Sequence, residues 1–314
     1  MKKILITGAN GFVGKALCQR LISRNIDFRG ATRTPSRGDN RYISVGDLDA
    51  SNDWQAALEG CDAVVHLANR AHIMHEVASD PLGEFRRVNV QGTLNLARQA
   101  IAAGVRRFVF VSSIKVNGEV THSIPFRASD RPAPSDAYGI TKLEAEEALR
   151  SLCSQSTMQL VIVRPPLVYG PGVKANFLRL IQAVDRGIPL PLGAIDNRRS
   201  MVAVGNLCDL LIRCVEHPDA AGRTFLVSDG QDLSTAELVR MIASALGKKP
   251  RLFAVPTDLL RLAARLTGKQ AAADRVLGSL QIDMRDTCQT VDWMPPDTPF
   301  ETIKQTVNAI RQAT

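Results

Sequence analysis

Tyr138 and Lys142 are the side chains of this sequence best suited, by type and spacing, to move a proton. They stand four positions apart, so a helix through them presents both from one face. An ammonium about 4 Å from a phenol, at an effective dielectric near 20, favours the phenolate by roughly 4 kcal/mol. Such a pair lowers the phenol pKa by about three units, which lets the tyrosine exchange a proton with an alcohol near neutral pH.

Two serines supply a third candidate group. Ser112 and Ser113 lie at the carboxyl end of an apolar segment, residues 107–112, that is predicted to be a strand. Sheets of parallel strands collect their reactive groups at that edge. The residues alone leave open which of the two serines takes part.

A glycine-rich loop follows the first predicted strand. Gly8-Ala-Asn-Gly11-Phe-Val-Gly14 leads from residues 3–7 directly into a predicted helix. Gly8 suits a tight turn, Gly11 a close approach of backbone to a pyrophosphate, and Gly14 a close contact between helix and strand. The helix N-terminus adds unpaired N–H groups and a partial positive charge. The sequence therefore predicts a dinucleotide site.

Short apolar runs alternate with helix-period segments over the first two thirds of the chain, which predicts an α/β fold with a Rossmann-type doubly wound parallel sheet. The predicted strands are residues 3–7, 27–32, 63–67, 107–112 and 159–164. The predicted helices are residues 11–24, 54–58, 85–103 and 138–155, followed by 234–246, 257–266 and 302–312.

Prolines interrupt this alternation after Arg164 and predict a second, smaller unit. We expect an NAD(P)-binding domain over residues 1–166 and about 200–228. A smaller C-terminal α/β domain over residues 167–199 and 229–314 would bind the substrate.

The composition excludes several classes of protein. With 314 residues, 45% hydrophobic, 22% charged and a net charge of +8, the chain is neither disordered, collagen-like nor a coiled coil. It has no run of 18 apolar residues and no signal-peptide core, so we expect a cytoplasmic protein without membrane insertion. Six cysteines without a CxxC pair and five scattered histidines predict no metal site. Basic and aromatic residues are not interleaved, which argues against nucleic acid as a partner.

The glycine spacing resembles that of the short-chain dehydrogenase/reductase superfamily, extended subfamily, which is the NAD-dependent epimerase/dehydratase family. Four further segments, spread over roughly residues 1–230, are similar to motifs of that family: Gly46-Asp47-Leu48, His66-Leu67-Ala68, Asn89-Val90-Gln91-Gly92-Thr93 and Val168-Tyr169-Gly170-Pro171-Gly172.

The resemblance implies roles for individual residues. The family's serine lies 25 residues before its tyrosine, which selects Ser113 as the hydrogen-bonding partner of the reacting oxygen. Tyr138 would be the acid/base, and Lys142 would also bind the nicotinamide ribose. The implied cofactor-binding residues are Gly8, Asn10, Gly11, Phe12, Val13, Gly14, Arg33, Asp47, Leu48, Leu67, Ala68, Asn89, Tyr138, Lys142, Pro165 and Val168.

The end of the second strand bears on the choice between NAD(H) and NADP(H). An acidic residue there would hold the adenosine ribose of NAD, whereas arginine would accept the 2′-phosphate of NADP. The segment Ala31-Thr32-Arg33-Thr34 carries no carboxylate, and Arg37 lies close by, so the sequence favours NADP(H). Arg33 stacked on the adenine of NAD is the alternative.

The later segments resemble those with which the family's UDP-sugar enzymes hold their substrate. The implied substrate residues are Lys115, Asn117, Asn176, Leu192, Arg199 and Arg275. Arginine forks suit the two phosphate charges of a nucleotide diphosphate.

Three functions follow. The resemblance favours an NAD(P)H-dependent 4-ketoreductase that forms UDP-N-acetylquinovosamine from its 4-keto precursor for surface polysaccharides. Ile114-Lys115-Val116-Asn117 follows the serine where dehydratases have an Asp-Glu pair, so dehydration is not expected. The alternative is a UDP-glucose or UDP-N-acetylglucosamine 4-epimerase with tightly bound NAD; a non-catalytic dinucleotide-sensing or RNA-binding protein is remote. The resemblance also implies a homodimer in which helices 85–103 and 138–155 pair with their copies, which six apolar positions on them allow: Leu94, Ala97, Ile101, Leu143, Leu149 and Leu152.

Overall fold

A seven-stranded, wholly parallel sheet forms the centre of the protein, in the order β3-β2-β1-β4-β5-β6-β9. The structure is a computed structural model that describes residues 3–34, 38–71, 80–268 and 270–312. The strands of this sheet are β1 (Ile4–Thr7), β2 (Phe28–Thr32), β3 (Tyr42–Ser44), β4 (Ala63–His66), β5 (Arg107–Val111), β6 (Gln159–Arg164) and β9 (Thr224–Leu226). The strand order reverses between β1 and β4, which creates a crevice at their carboxyl ends. The predicted fold class is confirmed.

Helices cover both faces of the sheet because the strand residues that point to each face are apolar. Ile4 and Ile6 face one helix layer, and Leu5 faces the other. The first layer contains α1 (Phe12–Ser23) and α7 (Val204–Glu216), and the second contains α2 (Gln55–Leu58), α4 (Thr93–Ala102) and α5 (Ala137–Cys153).

A second apolar core lies beside this sheet. It is built around the parallel pair β7 (Leu167–Tyr169) and β8 (Met201–Ala203), packed with α6 (Ala175–Asp185), α8 (Thr235–Leu246) and α12 (Pro299–Gln312). Three further helices follow in the last quarter of the described chain: α9 (Thr257–Leu266), α10 (Gln270–Leu277) and α11 (Arg285–Thr290). β8 leads directly into α7, so this segment connects the second core to the first helix layer.

The predicted helix 85–103 is present but is not α-helical throughout, and it begins four residues earlier. It consists of α3 (Pro81–Arg86), a π-helical segment (Arg87–Gly92) and α4. Gly92 passes so close to the loop after β3 that a Cβ atom would lie 2.7 Å from Leu48. The periodicity of neighbouring residues carries no information about such a long-range contact. π-helical segments occur frequently at functional sites.

Several elements were not predicted. β3, β7, β8 and β9 have only three residues each, too few to show an alternating pattern. α7 was also missed, although Asp209, Arg213 and Glu216 recur at i, i+4 and i+7 opposite its apolar side and nine of its 13 residues are buried.

Candidate active site

The glycine loop forms a tight backbone cradle between β1 and α1. Gly8 has a φ of +66°, and its carbonyl accepts a hydrogen bond from Gly11 N at 2.8 Å. A Cβ atom on Gly14 would lie 2.1 Å from Gly8 O, so only glycine fits there. The cradle leaves the N–H groups at the start of α1 available to a pyrophosphate, as the sequence predicts.

A cleft of about 870 Å³ opens at the carboxyl ends of β1, β4 and β5, above this cradle. Its walls bring together residues that lie far apart in the sequence. Of the predicted site residues, the lining includes Gly8, Asn10, Gly11, Phe12, Val13, Gly14, Arg33, Asp47, Leu48, Leu67, Ala68, Ser113, Tyr138, Pro165 and Val168. One cleft therefore joins the glycine loop to the predicted acid/base.

Two predicted cofactor residues, Asn89 and Lys142, lie behind the wall of the cleft. Asn89 Oδ1 accepts a hydrogen bond from Arg70 N at 2.7 Å, and Asn89 Nδ2 donates to Arg70 O at 3.1 Å. Asn89 is buried and thereby holds the backbone of a lining residue in place.

Lys142 is 1% exposed, and its Nζ donates to Val111 O at 2.9 Å. Nζ also lies 4.6 Å from the ring centre of Phe110 and 5.9 Å from that of Tyr138. The lysine therefore ties the end of β5, just before the serines, to the helix that carries the tyrosine.

The predicted lowering of the Tyr138 pKa is wrong for the protein in this state. Burial raises the pKa of Tyr138, and the charge of Asp136 raises it further. Burial also lowers the pKa of Lys142 to about 7, against the opposing effect of Glu146. The prediction assumed an ammonium about 4 Å from the phenol and omitted the desolvation of both groups, which dominates here.

Ser112 and Ser113 both line the cleft but differ in their hydrogen bonds. Ser113 Oγ accepts a hydrogen bond from Lys115 N at 3.3 Å and caps a short 3₁₀ turn, Ile114–Val116. Ser112 Oγ is buried with no hydrogen-bond partner among the described residues. Ser113 thus has an orientation fixed by the backbone, as a residue that binds a reacting oxygen requires.

Sequence reasoning missed a buried hydrogen-bond chain beneath the cleft. Thr7 Oγ1 accepts hydrogen bonds from Leu67 N and Ala68 N, both at 3.1 Å, and lies 2.7 Å from His66 Nδ1. Its hydroxyl therefore donates to Nδ1, and His66 Nε2 carries the ring proton, 2.9 Å from Thr93 Oγ1. Burial, followed by the charge of Lys142, lowers the pKa of His66 to about 3 and keeps it neutral.

The structure brings a carboxylate from another segment to the end of β2, which has none of its own. Arg33, just after β2, forms an ion pair with Asp47, which follows β3, with Nη1 and Oδ1 3.6 Å apart. Both side chains are more than two-thirds exposed and belong to the lining of the cleft. Arg37 lies outside the described residues.

The predicted substrate residues are not in the lining of this cleft. Lys115 Nζ pairs with Asp136 and, at 2.8 Å, with Glu119. Asn117 is buried, accepting from Arg164 at 2.9 Å and donating to Arg127 O at 2.8 Å. Asn176 is exposed on α6, and Leu192 packs against the second apolar core. Arg199 donates to Gly278 O at 3.0 Å, and Arg275 is exposed on α10.

No group of three or more potential metal ligands occurs among the described residues. His72 and His75 are outside them. Within the described ranges, no helix combines the length and apolarity needed to cross a bilayer.

Comparison with known proteins gives a consistent result. The model of the "NAD dependent epimerase/dehydratase family" matches residues 4–228. A UDP-glucose 4-epimerase of Vibrio cholerae is 48% identical over 99% of this chain and 96% of its own length. A GDP-6-deoxy-D-mannose reductase of Pseudomonas aeruginosa is 30% identical over 98% and 96%. The solved structure of MoeE5 in complex with UDP-glucose and NAD is 25% identical, with a TM-score of 0.79 over 99% of each chain. The predicted nicotinamide dinucleotide is confirmed.

Proposed function

The chain belongs to the NAD dependent epimerase/dehydratase family, and from this premise we propose that it is a UDP-hexose 4-epimerase that retains NAD throughout turnover. The 48% identity to the Vibrio cholerae 4-epimerase, which extends over 99% of this chain, carries the proposal. The sequence alone favoured a 4-ketoreductase, with the epimerase as the alternative. The comparisons reverse that order.

The cleft fits the cofactor. A Cβ atom at Gly8, Gly11 or Gly14 would come within 3.0 Å of backbone, so the cradle has the shape that a pyrophosphate needs. Residues of the glycine loop would hold the diphosphate, and Arg33, Asp47 and Leu48 the adenosine. The nicotinamide, when bound, supplies reversible hydride transfer.

The protein's own side chains handle the proton. Tyr138 removes the proton of the sugar C4 hydroxyl and later returns it to the same oxygen, while Ser113 hydrogen-bonds that oxygen. Lys142 contributes positive charge behind the phenol and holds the end of β5 through Val111 O. The positive charge of an oxidised nicotinamide would lower the Tyr138 pKa that burial raises.

The adenine end of the cleft supports NAD over NADP. A 2′-phosphate adds negative charge beside Asp47 as well as beside Arg33, whereas the 2′-hydroxyl of NAD adds none. A retained NAD is what an epimerase requires, because the hydride taken from C4 must return to the same carbon.

The 4-ketoreductase remains a second candidate because Arg33 is a potential 2′-phosphate ligand and one relative is a nucleotide-sugar reductase. That enzyme would convert a UDP-4-keto-6-deoxyhexosamine for surface polysaccharide synthesis. It would draw NADPH from solution at each turnover, so it would not retain its cofactor.

Several further properties belong to the same proposal. The second core region would bind the UDP-sugar, and the enzyme would act in the cytoplasm as a homodimer. Of the six apolar positions expected to pair, Ala97 and Leu149 are already inside the monomer core. The remaining four, partly buried, would form the dimer contact: Leu94, Ile101, Leu143 and Leu152.

The test is to purify the protein, release any bound nucleotide by denaturation, and assay UDP-glucose and UDP-N-acetylglucosamine without added cofactor. We expect NAD in a stoichiometric ratio to the protein, and interconversion of the C4 epimers. A mock purification from cells that lack the protein should show neither. Tyr138→Phe should retain NAD but lose roughly 10²- to 10⁴-fold in rate. Protein that arrives without nucleotide, inactive on both sugars yet reducing a UDP-4-keto sugar with NADPH, would establish the reductase instead.

A further inference from the structure

Helix α9 presents an apolar stripe to solvent. Leu259, Leu262, Ala263 and Leu266 recur at i, i+3, i+4 and i+7, the spacing of one helix face. The three leucines are 55%, 53% and 81% exposed, and none of the ten residues of α9 is buried. A stripe with this period normally packs against a core. Here no described residue covers it.

Positive charge concentrates in the same part of the chain. Residues 249–277 contain six basic and two acidic side chains, so this segment carries a net charge of +4, half of the chain's +8. Arg265 is exposed and, at 100° per residue, lies beside Leu262 at one edge of the leucine stripe, whereas Arg261 points away from the stripe and forms an ion pair with Asp258, with Nη1 and Oδ1 3.8 Å apart. An arginine at the edge of the stripe reaches a lipid phosphate while the leucines beside it leave water.

Hydrogen bonds attach α10, the helix that packs against α9, to the rest of the protein. Val276 O, in α10, accepts hydrogen bonds from Asn197 Nδ2 at 3.0 Å and Thr235 Oγ1 at 2.8 Å. Leu280 N donates to Arg198 O at 2.8 Å. α10 is thus fixed to the second core region, and α9, packed on α10, stands outside it.

We propose that the exposed face of α9, together with the exposed Phe253 that precedes it in the chain, binds the surface of an anionic lipid bilayer. Phe253 is 49% exposed and precedes α9 by four residues. Leucine and phenylalanine side chains enter the boundary between headgroups and acyl chains, and Arg265 pairs with a lipid phosphate. The helix lies in the plane of the surface and does not span it.

A second copy of this chain is a poorer occupant of the same face. A symmetric contact would bring together two segments that each carry a net charge of +4, and like charges facing each other oppose association. Anionic lipid neutralises that charge instead.

Flotation with vesicles tests the proposal. The full-length protein is mixed with vesicles of phosphatidylcholine alone or with about 30 mol% phosphatidylglycerol, at low and high salt. We expect the protein to float with the anionic vesicles, to bind at least roughly tenfold less to the neutral ones, and to dissociate at high salt.

Variants with matched controls identify the surface. Leu259→Ser/Leu262→Ser/Leu266→Ser should weaken binding by roughly 100-fold, and Arg265→Gln by roughly fivefold. Ile124→Ser/Met294→Ser removes two side chains that are 70% and 71% exposed elsewhere and should bind as the wild type does. So should Arg186→Gln/Lys304→Gln, which removes two exposed charges outside the segment. The α9 variants should keep full activity in vesicle-free assays, which separates this proposal from the proposed reaction.

Two outcomes would overturn the proposal. One is a wild-type protein that stays with the soluble fraction in the presence of anionic vesicles at low salt. The other is a triple-leucine variant that floats as well as the wild type. If the wild type binds no vesicles and the triple-leucine variant differs from it in the molar mass measured by light scattering, the stripe is a contact between copies of the chain.

Discussion

The guanidinium of Arg33 and the carboxylate of Asp47 form an ion pair at one end of the cleft, with Nη1 and Oδ1 3.6 Å apart. They come from the ends of neighbouring strands and balance each other's charge. Sequence reasoning treated them separately, Arg33 as a 2′-phosphate ligand or a group stacked on adenine, and Asp47 as one of the implied cofactor-binding residues. Together they make a site without net charge, which suits the uncharged ribose of NAD.

Removing the carboxylate should shift cofactor preference. We expect Asp47→Asn to raise the affinity for NADP relative to NAD, because Arg33 is then free to pair with the 2′-phosphate. Both side chains are exposed and screened by solvent, so the change should not exceed about fivefold. Titration of nucleotide-free protein with each dinucleotide measures it. Asp39→Asn, which removes a carboxylate outside the cleft lining, is the control. An unchanged NAD/NADP ratio in Asp47→Asn would show that the ion pair has no influence on selectivity.

The two serines should differ sharply in their effect on rate. Ser113→Ala removes the hydroxyl oriented by Lys115 N and should lower turnover roughly 10²- to 10³-fold, and because this hydroxyl also caps a 3₁₀ turn it should cost about 1 kcal/mol in stability. Ser112→Ala removes a buried hydroxyl without a partner among the described residues, so it should leave the rate near wild type and the stability unchanged or slightly higher. Steady-state kinetics and thermal melts of both variants check this. A larger rate loss for Ser112→Ala would exchange the two roles.

Gly14→Ala should abolish the cofactor cradle. The new Cβ atom would lie 2.1 Å from Gly8 O, so the loop or α1 must move, at a cost of about 1–3 kcal/mol in stability. We expect purified protein with little bound nucleotide and at least tenfold weaker affinity for added NAD. Lys15→Ala, the next residue on the same helix and exposed, should behave as wild type. Full nucleotide content in Gly14→Ala would contradict the cradle.

His66 should make stability depend on pH. Its pKa is about 3 in the folded protein against 6.5 for a free histidine, so between these values the unfolded chain binds the extra proton. Stability supplied by neutral His66 is therefore complete above pH 6.5 and is lost as the pH falls towards 3. A 3.5-unit difference in pKa corresponds to at most about 5 kcal/mol.

Denaturant unfolding of wild type and His66→Gln across pH 4–7 measures this contribution. The wild type should be more stable at pH 7, and the difference should narrow as the pH falls. His122→Gln, an exposed site, should leave the pH profile unchanged. A difference between wild type and His66→Gln that does not change with pH would mean that His66 titrates normally in the folded protein.

The helix of Tyr138 and the loop of Gly8 could be predicted because both rest on short-range patterns. A strand, three glycines at fixed spacing and a helix start occupy consecutive residues, and an i, i+4 pair shares a helix face whatever surrounds it. The resemblance likewise placed 15 residues in one cleft, since the order of its motifs specifies a known strand order. The residues expected to bind the sugar were not found in that lining. Their segments contain prolines and short elements whose mutual position depends on long-range packing.

The sequence by itself determined the α/β fold class, the glycine loop and the shared helix face of Tyr138 and Lys142, since each follows from neighbouring residues. Tertiary structure decided the electrostatics. Burial raises the pKa of Tyr138, opposite to the expected shift, and keeps His66 neutral between Thr7 and Thr93. The folded chain also places Lys142 Nζ within hydrogen-bond distance of Val111 O. It also brought Asp47 to Arg33 and left the leucine stripe of α9 uncovered. Desolvation and ion pairing depend on which distant residues surround a group, and only the folded chain specifies that.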